Sequence, residues 1–557
     1  MTLVLVLAAA IGVIWFAERS LAHLELAVAG LCFGAAVLLF AVGDLARAVL
    51  LSCIVMAAIA GASCVKYNHS GLKLIVTDLP LAFAGTVPFL LVQYPVAAAA
   101  VASGTVALIV AAIVALHMPA WPINREFQIV LFGVALAALV AAYRTGGDAL
   151  SWQRIAAERR CFYSAFVASL LDPLSWRRFS GLSLSDMASE PLPLLPAVPA
   201  RALHFPDIIV IQHESIFDPR IYGLPVERNV KAFLSPENGL YGGLNVDIFG
   251  GGSWQSEFSL LTGLSSASFG SNAYFLFKRG VGRFHNSLPQ TLTKLGYKTS
   301  LASSCRRDFL NYDNFYSAIG IGERLFTDDF PPPFDVKQFE TTNSDELFLK
   351  AAIDAHAKAI AADAAPRFLY ALTNFNHGPH NRRLTGPGRF EQERAFAEAS
   401  LGDPHYAEYY ARLAETALTW SNLKSELASR FPRRPTLVVH YGDHQPVMAR
   451  QIEAKLKLPA DPRRRFRTFY AMETLNYPAN WLASGPSRNL DIAFLGTVAL
   501  QQAGLPLDQV FATRASLLEH CGEAYFASSS ERKRRFHRTL VELGLIELEP
   551  AARHQAS

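Results

Sequence analysis

The sequence predicts two parts of different class: an N-terminal α-helical membrane part with several spans, then an α/β domain with a largely parallel central sheet. Three observations lead there. From Thr2 to about Tyr143 the chain is almost all Ala, Val, Leu, Ile, Phe and Gly, whereas the remainder has ordinary soluble composition. From Asp207 onward, short apolar β-rich runs alternate with amphipathic helical stretches, the pattern of stacked strand-helix units. Three of those runs, Asp207–Glu214, Phe368–His377 and Thr436–His444, stop on a carboxylate or an imidazole. At 557 residues the chain is long enough for two or three domains.

Residues 1–145 hold the membrane helices. Crossing a bilayer takes roughly 20 mostly apolar residues, and the candidate spans are Leu3–Phe16, Leu24–Val42, Val49–Val65, Leu79–Val92, Ala97–Leu116 and Ile129–Ala142. The first and fourth are short, so five or six helices are both open. With six, the loops holding Arg19, Lys66, Lys73 and Arg125 share one side and Arg47 lies on the other. The basic side is the cytoplasmic one, which makes this an integral inner-membrane protein with its soluble part on the extracytoplasmic, periplasmic side. A five-pass chain with a cytoplasmic N-terminus ends on the same side. The first apolar run has no basic stretch before it, unlike a cleavable signal peptide. A net charge of +4 is small for this length and excludes nucleic acid as an electrostatic partner. Cys32, Cys53 and Cys64 lie in apolar spans, and Cys161, Cys305 and Cys521 are widely separated, so buried free thiols are expected, with a Cys305–Cys521 bridge outside the cytoplasm as the alternative.

Residues 146–200 form a junction. Trp152, Phe162, Phe166 and Trp176 are interleaved with Arg154, Arg159 and Arg177, an amphipathic helix that lies at the membrane interface or packs on the globular domain. The Pro-rich run Pro191–Pro199 reads as a semi-rigid spacer. Residues 201–525 form the catalytic domain, with helices at Ser287–Leu295 (closed by Gly296), Asp345–Ala361 and Tyr406–Ser429, and a strand at Tyr297–Ala302. Residues 526–557 are a basic tail in which Glu531–Arg538 reads as a solvated face.

In open α/β sheets the ligand crevice lies beyond the carboxyl ends of the strands. The three strand ends therefore bring Glu214, His377, Asp443 and His444 to one place, a set that suits a hard or borderline divalent cation. Between the first two strands lies Asp247–Gly263, where Gly250, Gly251 and Gly252 precede Ser253 at the expected N-cap of a helix. A hydroxyl there sits at the positive end of the helix dipole, and a metal beside it makes it a nucleophile. His213 and His440 lie inside their strands and read as structural.

An acidic residue after the first strand, a Gly-rich hydroxyl turn opening a helix, and a late Asp-His after a strand together resemble the alkaline phosphatase and sulfatase superfamily. Within it, Ile211–Ser215, Ser256–Leu264, Leu295–Thr299, Asn374–His377 and Tyr441–His444 are similar to the membrane-anchored lipoteichoic acid synthases and phosphoglycerol transferases. That resemblance implies Glu214, Ser253, Asp443 and His444 as metal ligands, Ser253 as nucleophile and His377 on the transferred phosphate. Mn²⁺ is the expected metal, with Mg²⁺ or Zn²⁺ open. Further candidates for substrate contact are Arg306, Arg307, Trp254 and His380, although Trp254 also suits the core. The family commonly carries Thr at the nucleophile, and it holds glycerol phosphate with a Trp and an Arg where this chain has Asp308–Asp313. The implied reaction moves phosphoglycerol from a membrane phospholipid, phosphatidylglycerol, to a glycan or glycerol-phosphate acceptor. Phosphoethanolamine transfer and ester hydrolysis are the alternatives. Ser253-Trp-Gln-Ser-Glu257 has neither the Pro nor the Arg that sulfatases need to make formylglycine. An inactive scaffold or a transporter is the non-enzymatic alternative, and the near absence of charged residues within the spans opposes a transporter.

Overall fold

The computed structural model describes residues 21–70, 73–76, 95–117, 121–150, 160–172, 187–331 except 308, 344–478, and 488–548 except 526 and 529, with single residues at 12, 14, 15, 18, 182 and 184. The chain divides into two compact units, Met1–Ser180 and Gly181–Ser557.

In the first unit, Leu21–Val42, Leu45–Tyr67, Ala98–Leu116 and Arg125–Gly146 are helices long and apolar enough to cross a membrane. Their backbone groups are bonded within the segment, as an apolar solvent demands. The expected span Leu79–Val92 and nearly all of Leu3–Phe16 lie outside the described residues. The loops, however, correct the six-pass arrangement. Leu45 N–H donates to the Trp121 carbonyl and Ile123 N–H to the Gly43 carbonyl, both at 3.2 Å. The turn after the first described helix and the turn before the last therefore share one membrane face, so Arg47 and Arg125 cannot stand on opposite faces.

The junction also differs from expectation. Phe162–Leu171 is a helix whose residues Tyr163 to Ser169 are buried. Tyr163, Ala165, Val167 and Ala168 share a core with Leu26, Ala27 and Leu31 of the helix Leu21–Val42, so this helix packs within the first unit. Glu18 closes its N-terminus, accepting from Tyr163 N–H at 2.8 Å, Ser164 N–H at 3.0 Å and the Ser164 hydroxyl at 2.5 Å. Trp152, Arg154, Arg159, Trp176 and Arg177 fall outside the described residues. All six cysteines are free.

The second unit is built on an eight-stranded sheet: β1 Asp207–His213, β2 Leu240–Asn245, β3 Lys298–Ser303, β4 Glu323–Leu325, β5 Arg367–Leu372, β6 Thr436–Gly442, β7 Arg467–Leu475 and β8 Leu490–Asp491, in the order β4-β3-β5-β1-β6-β7-β2-β8. The five strands from β4 to β6 are parallel, β7 is antiparallel to both its neighbours, and β8 is parallel to β2. β1 is buried at every residue, which explains its unbroken apolar run. Its side chains alternate between two cores, Ile208 and Val210 in one, Ile209 and Ile211 in the other. The helices Leu288–Lys294, Asp345–Ala362 and Pro404–Arg430 stand where the sequence places them.

Two boundaries move. Rather than spacing the units apart, the Pro-rich run is strapped to the second one. Leu192 N–H donates to the Arg535 carbonyl at 3.1 Å, the Thr539 hydroxyl donates to the Leu192 carbonyl at 2.7 Å, and Val198 pairs with Leu507. Nor is the basic tail a free solvated segment. In the helix Glu531–Glu542, Phe536 and Leu540 enter the main core, and Lys533 is buried with its ammonium on the Tyr525 and Ser528 carbonyls at 2.9 and 2.7 Å. One face of a helix that reads as basic is thus apolar at four-residue spacing. Phe536→Ala is expected to destabilise the second unit by about 3–5 kcal/mol, read as a lowered thermal midpoint. A solvated tail would leave the melt unchanged.

Candidate metal centre

The site starts from strand pairing. β1 lies between β5 and β6, with Gln212 opposite both Leu372 and Tyr441, and His213 opposite Gly442. Because the three strands are parallel and in this register, the residues that follow them, Glu214, Thr373 and Asp443, emerge side by side. Ser215 N–H donates to Asp443 Oδ1 at 2.7 Å and Glu214 N–H to Thr373 Oγ1 at 3.4 Å. Gly442 makes this crossing feasible: a Cβ there would stand 1.8 Å from the Ile216 carbonyl oxygen.

Ser253 arrives from the loop after β2. Gly250, Gly251 and Gly252 have φ of 82°, 148° and 95°, values that favour glycine and turn the chain back toward β1. Ser253 precedes the helix Trp254–Thr262 but makes no side-chain cap. Its hydroxyl instead donates to Glu214 Oε2 at 3.0 Å and lies 3.3 Å from His444 Nε2. The expected position therefore holds, while the hydroxyl is left to the site.

The remaining atoms fit a cation. One ligand atom from each of Glu214, Asp443 and His444 lies within 4.8 Å of the others, and all three residues are buried. Asp443 Oδ1 is taken by two backbone N–H groups at 2.7 Å, but its buried Oδ2 has no hydrogen-bond partner. His444 Nδ1–H donates to the Gln445 carbonyl at 3.1 Å, which leaves the Nε2 lone pair facing the cluster, the tautomer of a metal ligand. Burial pushes the Asp443 carboxyl well above its ordinary range, and the Glu214 charge adds to this. Burial also opposes ionisation of Glu214. There His444 and His377, with the Ser215 and Ser253 hydroxyls, win and hold it below the usual value. Burial pulls His444 below its ordinary value, against the Glu214 charge. Two adjacent carboxyl groups whose joint ionisation is costly in a low dielectric, with an imidazole Nε2 facing them, fit a divalent cation between them.

The other expected residues divide. His377 donates from Nδ1 to the Gly378 carbonyl at 2.7 Å, and its charge is felt by both Glu214 and His444, so it stands beside the cluster. His380 is buried, with Nε2 on the Asn376 carbonyl at 2.9 Å and its ring edge-on to Tyr409. These contacts hold it to the loop. Trp254 packs in the core and donates to the Tyr274 carbonyl at 3.0 Å. Arg307 is engaged by Asp313 at 3.1 Å and Asp329 at 2.6 Å and stacks on Phe326. Arg306 is half-buried at the end of β3. His213 and His440 are fully buried and make no hydrogen bond at either ring nitrogen, packed with Phe233, Trp420 and each other.

Sequence reasoning missed Glu257, one turn beyond Ser253. It accepts from Gln212 Nε2 at 3.0 Å, Tyr312 OH at 3.3 Å and Tyr316 OH. The signal was a carboxylate in a helix otherwise apolar or small. Burial pushes Glu257 up to about 7. Its proton is held more tightly in the folded than in the unfolded chain, so its contribution to stability is fully present below 4.5 and is lost as pH rises through about 7. Glu257→Gln is expected to flatten that loss in denaturant melts of metal-stripped protein. An unchanged pH slope would contradict the assignment. Asp443→Asn is expected to weaken Mn²⁺ binding by more than about 100-fold in titration calorimetry.

Residues 206–468 match the sulfatase family model. An uncharacterized protein of Haemophilus influenzae is 23% identical over 319 residues, an alignment covering 55% of this chain and 55% of that relative, about half the length of each. Among solved structures, the chain is similar to the Streptococcus pyogenes phosphoglycerol transferase GacH in complex with sn-glycerol-1-phosphate (18% identity, TM-score 0.45, covering 61% of this chain and 85% of that one). It is also similar to the integral membrane lipooligosaccharide phosphoethanolamine transferase EptA of Neisseria meningitidis (12% identity, TM-score 0.45, covering 90% and 88%). The stretch that matches the sulfatase family model, residues 206–468, carries Glu214, Ser253, Asp443 and His444.

Proposed function

We propose that this chain is a metal-dependent membrane phosphotransferase that moves a phospho-alcohol head group from a phospholipid to a cell-envelope acceptor through a covalent Ser253 intermediate. The observation that carries the reading is the Ser253 hydroxyl, freed from capping and held 3.0 Å from Glu214 and 3.3 Å from His444 beside the unpartnered Asp443 Oδ2. Glu214, Asp443, His444 and Ser253 would hold the cation, Mn²⁺ in the first instance. When bound, it supplies Lewis acidity and lowers the pKa of the serine hydroxyl.

In the first step the Ser253 oxygen bonds to phosphorus, the bond to diacylglycerol breaks, and the proton lost by Ser253 is balanced by the one gained by the diacylglycerol hydroxyl. The helix Trp254–Thr262 presents its N-terminal dipole to the developing charge, and His377 contacts the phosphate oxygens. An acceptor hydroxyl then attacks phosphorus and releases Ser253. Phosphoglycerol from phosphatidylglycerol is the proposed head group and a glycan or glycerol phosphate the acceptor, with phosphoethanolamine as the second choice. Arg307 cannot take the place of the family's head-group Arg while it pairs with Asp313 and Asp329. The active unit is placed outside the cytoplasm because a cell-envelope acceptor lies there, the loop-charge argument having lost its basis once Arg47 and Arg125 share a face. Protease added to intact spheroplasts, which degrades only an outward-facing unit, reads the side.

The test is to give purified protein labelled phosphatidylglycerol, and separately phosphatidylethanolamine, with Mn²⁺. Release of diacylglycerol is expected from one of them, with a loss of about 10³-fold or more in Ser253→Ala. No release from either lipid, or release undiminished in Ser253→Ala, rejects the proposal.

A further inference from the structure

His377 stands on a stretch without regular secondary structure between β5 and the helix Glu391–Leu401. Buried carbonyls in such a stretch need donors from elsewhere. Four of them meet one guanidinium. Arg412, on the helix Pro404–Arg430, is fully buried. Its Nη1 donates to the His377 carbonyl at 3.1 Å and reaches the Phe375 carbonyl at 3.5 Å. Nη2 donates to the Arg382 carbonyl at 2.7 Å and reaches that of Pro379 at 3.5 Å. Nε bonds Glu408 Oε1 at 2.9 Å, one turn earlier on the same helix. Glu408 accepts from Leu384 N–H at 2.9 Å and pairs with Arg394 at 2.9 Å, and Arg394 reaches the Thr385 hydroxyl at 2.6 Å.

One ion pair thus grips the stretch on both sides of His377. The burial cost of the guanidinium is met by Glu408 and the carbonyl dipoles, an arrangement that persists only where the geometry is good. A planar fork with five donors can serve several diverging acceptors; an ammonium on a flexible stem cannot. His377 Nδ1 donates to the Gly378 carbonyl within the same stretch, so the position of the ring follows from the backbone that Arg412 holds.

We infer that Arg412 is a positioning residue, setting His377 against the phosphate through four carbonyls without touching substrate itself. The inference rests on the phosphotransfer reading for its kinetic consequences. It predicts that Arg412→Ala lowers kcat by about 10–100-fold, since misplacing a reacting group by about 1 Å can cost 10²-fold. KM and bound Mn²⁺ stay near wild type. The double variant with His377→Ala is expected to be no slower than His377→Ala alone. Arg412→Lys, which keeps the charge, is not expected to restore the rate, whereas millimolar guanidinium is expected to restore part of it to Arg412→Ala and none to His377→Ala.

A second readout needs no turnover. The rate at which diethylpyrocarbonate modifies His377, followed by peptide mass spectrometry on the full-length protein, is expected to change severalfold in Arg412→Lys. That variant, checked by its thermal melt, serves if Arg412→Ala does not fold. A wild-type kcat in Arg412→Ala, a loss that multiplies fully with that of His377→Ala, or an unaltered modification rate in Arg412→Lys overturns the inference. If wild-type protein shows no Ser253-dependent turnover while the modification rate still changes, the phosphotransfer reading fails and the positioning of His377 stands.

Discussion

The parallel pairing of β1 with β6, His213 opposite Gly442, is the constraint from which the site follows. Any other register would bring out Glu214 against a different residue of β6, and a slip of one would turn its side chain to the opposite face of the sheet. With this register, two acidic side chains leave the sheet together into a space closed to water. The backbone amides of Ser215 and His444 absorb one Asp443 oxygen and leave the other without a partner. A metal-binding arrangement is what remains once backbone hydrogen bonding has been satisfied.

Behind that arrangement lies a polar layer that the core tolerates because its members bond to one another. Gln212 donates to Glu257 and its amide oxygen accepts from Tyr370 and Tyr441, whose hydroxyls are 2.7 Å apart. The layer joins β1, β5 and β6, and Glu257 ties the helix that follows Ser253 to β1 through Gln212 and to Tyr312 and Tyr316. Buried polar groups that satisfy each other rigidify a core in this way. His213 and His440, on the other side of the same strands, are the contrast: neutral rings held by aromatic packing alone, with burial pushing His213 down to about 3.

The strand ends were legible because an apolar run that halts on Glu or Asp-His is a local signal, and the sheet does the rest. Ser253 was legible from three glycines that side-chain-bearing residues replace only with strain. What escaped notice depends on long-range bonds made by residues whose type suggests the surface. Arg412 is one arginine among many along an amphipathic helix, and nothing local says that its partners lie about thirty positions away. Arg307 looked available because nothing local shows that Asp313, six positions on, and Asp329, twenty-two positions on, fold back onto it. The run of basic residues before Glu542 masked an apolar face only two side chains wide. In the membrane part, composition located the helices and was silent on which turns meet, a matter decided by backbone bonds between Gly43–Leu45 and Trp121–Ile123.

The clasp between Leu192 and the last helix bears on how the second unit can be separated from its membrane part. A fragment begun at residue 201 would discard Leu182 and Leu192 from the main core and leave the Thr513 and Thr539 hydroxyls without the backbone they now bind. Such a truncation would open an apolar seam along a helix that also buries Lys533. A cut between the two units, near Ser180, keeps the proline segment bonded to its own fold and the seam shut.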